Sequence, residues 1–289
     1  MNKAQNEFRF VYFGTPKFAA IVLDELEQKG LLPVTIVTAP DKPKGRKLAL
    51  SPSQVKVWAT EHKIPVLTPE KIRDNDAFLQ ALRSYNADFF IVAAYGKIIP
   101  KEILEMTPHG ILNVHPSLLP KFRGSSPIES AILSDEKYTG VTIMLLDEEM
   151  DHGPILAQRE RIIKDWPPRG SELTEDLAHF GGSLLADIIP EYLSGLKAFP
   201  QDHSRATFTK KIVKEDGLLD LEADVLLNYK KIKAYDQWPS TYFFAKHNGK
   251  QIRVRVTDAS YKDGTLTLLR VVPEGKKEMS YEDFLRGNS

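Results

Sequence analysis

The 289 residues predict an α/β protein in two parts. The first is a Rossmann-like, mostly parallel sheet with helices on both faces, and the second is a small, incomplete OB-like β-barrel. Three observations carry this expectation. Through roughly the first two hundred residues, short apolar β-branched runs alternate with amphipathic stretches, the pattern of strand–helix–strand units that pair in parallel. Beyond Ala206 the texture changes to alternating strands punctuated by Asn248-Gly249 and Asp263-Gly264, strong short-range hairpin signals. The length also suits two domains at about 100 to 200 residues each. The expected division is residues 1–196 for the first domain, 197–206 for a linker and 207–289 for the second.

In the first part, Phe8 to Phe13, Val34 to Thr38, Asp88 to Ala94, Gly110 to Val114, Val141 to Leu146 and Ile155 to Ile163 read as strands. Pro16 to Gln28, Pro52 to His62, Asp76 to Tyr85 and Ser126 to Leu133 read as helices, the prolines suiting a first turn and Gly30 a stop. Gly170 to Leu196 has one apolar face, and Pro190 predicts a kink or a split. In the second part a helix around Ala223 to Tyr235 precedes strands at Tyr242 to Lys246, Gln251 to Val256 and Thr265 to Val272.

Composition excludes several classes. The absence of cysteine removes disulfides, thiolate metal sites and thiol nucleophiles. The start, MNKAQNEFRF, lacks a signal-peptide stretch, and the longest apolar run, Phe89 to Tyr95, falls short of the ~20 residues that span a bilayer. A soluble, cytoplasmic protein without membrane association is expected. The 39 basic and 39 acidic residues cancel over the whole chain, but 16 basic face 12 acidic residues from Arg205 onward. That local surplus is compatible with an oligonucleotide-binding barrel and equally with an ordinary solvated surface.

Ligands of open α/β sheets bind beyond the carboxyl ends of strands, so the residues there are the first candidates. The segment Gly110 to Pro127 ends a strand in Asn113 and His115, on one face by the period of two, followed by a loop that Pro116 and Pro120 direct. Ser125 can cap the helix beyond it. An amide donor and an imidazole are the tools for polarising a carbonyl and moving a proton, although such a pair can also merely tie down a loop. Strand Val141 to Leu146 delivers the acidic loop Asp147 to Asp151, in which Asp151, beside the Gly153-Pro154 turn, is the carboxylate expected to be fixed near an imidazole; His152 is the weaker candidate. The opening turn Phe13-Gly14-Thr15-Pro16 has one glycine where a dinucleotide fingerprint has three, and no P-loop occurs. Ser117, His115 and Asp151 can be written as a hydrolase triad, but Ser117 lies in no nucleophile-elbow pattern. No metal-ligand spacing is present, so no metal is expected. A basic loop, Ala39 to Leu48, follows the second strand on the same face and can reach phosphates.

These segments resemble the methionyl-tRNA formyltransferase family. The resemblance rests on Phe13-Gly-Thr-Pro-Lys-Phe-Ala19, Pro40-Asp-Lys-Pro43 with Gly45-Arg46, and Val92-Ala-Ala-Tyr-Gly-Lys-Ile-Ile-Pro100. It extends through Asn113-Val-His-Pro-Ser-Leu-Leu-Pro120, Arg123-Gly-Ser-Ser-Pro-Ile128, Asp151-His-Gly-Pro-Ile155, Lys210-Lys-Ile212 and Trp238-Pro239. It implies transfer of a formyl group from 10-formyltetrahydrofolate to the free amine of initiator methionyl-tRNA, by direct attack through a tetrahedral intermediate. It implies Asn113, His115 and Asp151 as catalytic residues. Folate contacts are implied at Ala93, Ala94, Tyr95, Gly96, Ser117, Leu118, Leu119, Pro120 and Asp147, and tRNA contacts at Lys42, Lys44, Arg46 and Lys47. A monomer acting in translation initiation, in the bacterial cytosol or in an organelle, is expected. Only Thr257 to Gly264 stand where the family has an extra strand-forming segment, hence the incomplete barrel. A sugar-nucleotide N-formyltransferase with the same folate donor, and a non-catalytic RNA-binding relative, are the alternatives.

Overall fold

The computed structural model describes residues 8–44, 49–247 and 249–287, in two compact units. The first comprises the described residues of 1–125, 139–161 and 174–208. Its elements begin with β1 (Phe10–Gly14), α1 (Lys17–Gln28), β2 (Thr35–Val37), β3 (Lys42–Lys44), β4 (Ala49–Ser51), α2 (Gln54–Glu61) and β5 (Val66–Leu67). They continue with α3 (Asp76–Ser84), β6 (Phe89–Ala93), α4 (Lys101–Leu104) and β7 (Ile111–His115). After α5 (Pro127–Leu133) come β8 (Tyr138–Leu145), β9 (Ile155–Ile162) and α6 (Gly170–Leu193).

The main sheet has the order β5-β2-β1-β6-β7-β8-β9. Strands β5, β2, β1, β6 and β7 are mutually parallel, and β8 runs antiparallel to β7. Strands β1, β6 and β7 are buried at every position, which is why they read as unbroken apolar runs. The chain winds outward from β1 through β2 to β5, then crosses back to place β6 on β1's other side. The order therefore reverses between β1 and β6, and a crevice opens at the carboxyl ends of these strands. Gly14 ends β1 there, where a Cβ would lie 2.6 Å from Ala19 Cβ and 3.0 Å from the Ala93 carbonyl. The single glycine of the opening turn is a packing requirement.

Helix α1 buries Phe18, Ala19, Ile21, Val22, Leu23 and Leu26. At roughly 1.5–3 kcal/mol for each large apolar side chain buried, packing outweighs helix propensity here. Pro16 is the N-cap of α1 rather than its first turn, its carbonyl receiving the Ala19 amide at 3.0 Å. Helix α2 starts later than Pro52 because the Ser53 hydroxyl caps it, accepting from the Lys56 amide at 3.0 Å. Helix α5 has Ser126, not Ser125, at its N-cap, because Pro127 already occupies the first helical position. Pro190 does not split α6: it lies in the last turns, where its missing N–H removes one bond near an end that is already poor in partners. The basic loop after β2 is flanked by an antiparallel pair, β3 with β4, that the sequence did not indicate.

The second unit comprises the described residues of 126–138, 162–173 and 209–289. It holds α5, α7 (Val225–Ala234), β10 (Thr241–His247), β11 (Lys250–Lys262), β12 (Thr265–Pro273), β13 (Met279–Ser280) and α8 (Tyr281–Arg286). The four strands form an antiparallel meander in the order β10-β11-β12-β13. The incomplete barrel expected from the sequence takes the form of an open antiparallel sheet among the described residues, with β10 and β13 at its edges. Strand β11 does not stop at Val256: it continues through a bulge near Asp258 to Lys262 and pairs with Thr265 across the Asp263-Gly264 turn. Both turn residues hold positive φ, as a two-residue hairpin of matching twist requires. Ile232, Phe243, Val254, Val271 and Phe284 are the centre of this unit's core.

Candidate active site

Strand β7 carries Asn113 opposite Val92 of β6 and Met144 of β8, and His115 opposite Thr142. Both side chains are buried. Among the described residues, the Asn113 carboxamide makes no hydrogen bond, although it is only 7 % exposed. Its polar atoms are not sealed off, since the fully buried side-chain atoms without a partner among the described residues belong to Tyr95 and Arg253, so the amide is open to a ligand that enters the crevice. His115 is held: its Nε2–H donates to the Phe122 carbonyl at 3.0 Å, an assignment fixed because a carbonyl can only accept. This leaves Nδ1 facing the Asp151 carboxylate, with Oδ1 at 3.7 Å. The other oxygen, Oδ2, accepts the Gly124 amide at 2.7 Å.

Three non-glycine residues around this cluster adopt left-handed backbone conformations: Ala94 (φ 47°), Phe122 (φ 60°) and Asp151 (φ 50°). Such conformations persist only where the surroundings over-determine them, and they concentrate at functional sites. Asp151 is over-determined. Gly153, two residues on, passes so close to the Leu145 carbonyl that a Cβ there would lie 2.0 Å from it. Gln201 donates from Nε2 to the Asp151 carbonyl at 2.9 Å and to the Gly153 carbonyl at 2.8 Å. The opposite end of that amide, Oε1, accepts from Arg123 Nε at 3.1 Å and Nη2 at 2.6 Å. Arg123 Nη2 also donates to His203 Nδ1 at 2.8 Å, and its guanidinium lies 5.9 Å from the Phe208 ring centre. Thr207 completes the strap, its Oγ1 accepting the Phe122 amide at 2.8 Å and its carbonyl accepting the Arg123 amide at 2.9 Å. The aperiodic segment 197–206 is therefore bonded onto the site loop of the first unit.

The remaining sequence candidates fall into groups. Ala93 ends β6 at the crevice; Ala94 and Gly96 are exposed in left-handed conformations, while Tyr95 between them turns into the core, edge-on to Phe13 at 5.4 Å. The Tyr95 hydroxyl is buried without a partner among the described residues, and burial pushes the phenol pKa up to about 12. Ser117 spends its hydroxyl on the Lys121 carbonyl at 2.7 Å, and Leu119 packs against Met144 and Ile155. Leu118 and Pro120 belong to the same turn. Asp147 accepts from His152 Nδ1 at 2.7 Å, and the His152 ring stacks on His203 at 4.0 Å. Lys42 is exposed on β3, while Arg46 and Lys47 lie outside the described residues, as does the side chain of Lys44. Lys97, beyond Gly96, donates to the carbonyls of Pro69 at 2.8 Å and Glu70 at 2.7 Å; burial and the like charge of Lys42 lower its pKa. No cluster of metal-ligating side chains occurs among the described residues.

Sequence reasoning did not identify Gln201, Thr207 or the role of Arg123. Their partners are distant along the chain, so no local pattern marks them.

At the carboxyl ends of β6 and β7 the structure thus offers an unpartnered amide, an imidazole and a carboxylate fixed within one unit, suited to polarising a carbonyl and accepting a proton. The profile of the formyl transferase family matches residues 8–189. A methionyl-tRNA formyltransferase of Chloroflexus aggregans is 41 % identical, covering 96 % of this chain and 97 % of its own length. The chain belongs to the methionyl-tRNA formyltransferase family. The Thermus thermophilus member is 39 % identical over 96 % of both chains. A solved structure of a methionyl-tRNA formyltransferase from Clostridium thermocellum shares the fold, with a TM-score of 0.60 at 17 % identity, over 94 % of this chain and 99 % of that one.

Proposed function

We propose that the chain transfers the formyl group of 10-formyltetrahydrofolate to the free amine of initiator methionyl-tRNA, and that Asn113, His115 and Asp151 carry the reaction. The observation behind this reading is the Asn113 carboxamide, nearly buried and without a hydrogen-bond partner among the described residues, on the same strand as an imidazole fixed by the Phe122 carbonyl. The site fits a folate co-substrate in one respect that does not depend on its identity: the crevice at the β1/β6 switch point ends in the exposed residues Ala94 and Gly96.

On this reading the folate enters along Ala93 to Gly96 and the turn Ser117 to Pro120, with Asp147 at its border, and supplies the formyl group. Asn113 donates from its amide to the formyl oxygen as negative charge develops there. His115 donates from Nδ1, the ring nitrogen that faces Asp151 and is not hydrogen-bonded to the Phe122 carbonyl. Asp151 holds the imidazole in that orientation and takes part, through water, in removing the proton that the attacking amine must lose. Attack forms the new C–N bond; as the tetrahedral intermediate collapses, the bond from the formyl carbon to the folate nitrogen breaks, and that nitrogen departs with the bonding pair and takes up a proton in exchange for the one lost by the amine. Lys42, Lys44, Arg46 and Lys47 hold the tRNA, and the enzyme acts as a cytoplasmic monomer without a metal.

The purified protein, given 10-formyltetrahydrofolate and methionyl-tRNA, is expected to release N-formylmethionine after deacylation. Formyl transfer to an amino-sugar nucleotide, with none to methionyl-tRNA, supports the sugar-nucleotide enzyme instead.

A further inference from the structure

We infer that Gln201 is a positioning residue for the formyl-transfer reaction, acting through Asp151; this rests on the function proposed above. The side chain is buried, and its two ends do opposite work. Two carbonyls, which only accept, face Nε2, and two guanidinium nitrogens, which only donate, face Oε1, so the amide has one possible orientation. The guanidinium of Arg123 is itself buried and has no carboxylate within ion-pair distance among the described residues. Its charge polarises the Gln201 amide and strengthens the two bonds on the far side. Those bonds close on the carbonyls of Asp151 and Gly153, the turn in which Asp151 holds φ 50°. Without them the left-handed conformation loses two of the restraints that enforce it, and the carboxylate shifts relative to His115 Nδ1 and the Gly124 amide.

Glutamate is the discriminating substitution. It keeps the size of glutamine and the acceptor for Arg123, while removing both N–H donors and facing two carbonyls with oxygen. The wild type, Gln201→Glu, Asp151→Asn and the double variant are assayed for N-formylmethionine formation. Gln201→Glu is expected to lower kcat by about ten- to a hundredfold, with KM for methionyl-tRNA and for the folate within about twofold of wild type. In the Asp151→Asn background the same change is expected to alter the residual rate by less than about twofold, because its effect has already been removed. A wild-type kcat in Gln201→Glu, or the same loss in both backgrounds, overturns the inference, since a general structural role does not depend on the charge at Asp151. Should Gln201→Glu fail to fold, Gln201→Asn carries the test, withdrawing the same amide by one methylene, with the same two outcomes. Transfer by the wild type with an unaffected variant contradicts Gln201 alone; no transfer by the wild type contradicts the proposed function, and this inference with it.

Discussion

His115 and Asp151 share one geometry, and substitution takes a different chemical tool from each. The imidazole has one nitrogen committed to the Phe122 carbonyl at 3.0 Å, so only Nδ1 serves a substrate. Replacing it with alanine removes a proton donor and is expected to lower turnover by at least about a hundredfold, as loss of a positioned acid or oxyanion donor does. Asp151→Asn keeps an acceptor for the Gly124 amide, 2.7 Å away in the wild type, while removing the negative charge. It is expected to fold normally and to lose at least about a hundredfold in kcat, read by single-turnover assay beside circular dichroism. Near-wild-type rates in either variant remove that residue from the mechanism.

At the level of elements, the turn between β8 and β9 is the tightest joint of the site. Gly153→Ala places a methyl group against the Leu145 carbonyl, which is backbone and cannot step aside. A cost of at least about 1 kcal/mol is expected, seen as a lowered Tm together with a fall in activity, because Asp151 belongs to the same turn. A Tm equal to wild type contradicts the close approach. The parallel strands were legible because burial on both faces leaves unbroken apolar runs, as in Phe89–Ala93. The Asp263-Gly264 hairpin was legible because its turn demands positive φ at both residues. Val66–Leu67 and Met279–Ser280 are too short to show a period. Asn113, His115 and Asp151 stood out by residue type at strand ends, whereas Gln201 meets Arg123 from 78 positions away and Asp151 from 50, which no local pattern encodes.

For the whole molecule, the neutral charge total conceals a surplus of four basic residues from Arg205 onward, with the basic segment Lys42 to Lys47 in addition. Binding of methionyl-tRNA is therefore expected to weaken as salt rises, and Arg46→Ala to raise the tRNA KM and flatten that dependence. An unchanged salt slope contradicts the assignment of Arg46. Stability at high pH follows from buried phenols. Tyr95 and Tyr235 are each pushed by burial from 10.0 to about 12, with the charges of Asp216 and Glu129 adding to the rise at Tyr235. Below pH 10 folded and unfolded chains both keep these protons. From about 10 to 12 the unfolded chain ionises first, so stability falls as pH rises through that window. Tyr95→Phe also removes a buried hydroxyl without a partner, and is expected to flatten the decline in urea midpoint while costing nothing near neutrality. A decline as steep as wild type contradicts the contribution of Tyr95.

The proposed function stands on one step, passage of a formyl group to methionyl-tRNA under the Asn113 amide. Wild type and Asn113→Ala, compared in one assay with 10-formyltetrahydrofolate and methionyl-tRNA, test it most directly. N-formylmethionine is expected from the wild type, with a rate lower by at least about a hundredfold from a variant of unchanged circular dichroism. No N-formylmethionine from the wild type, or equal rates from both proteins, contradicts it.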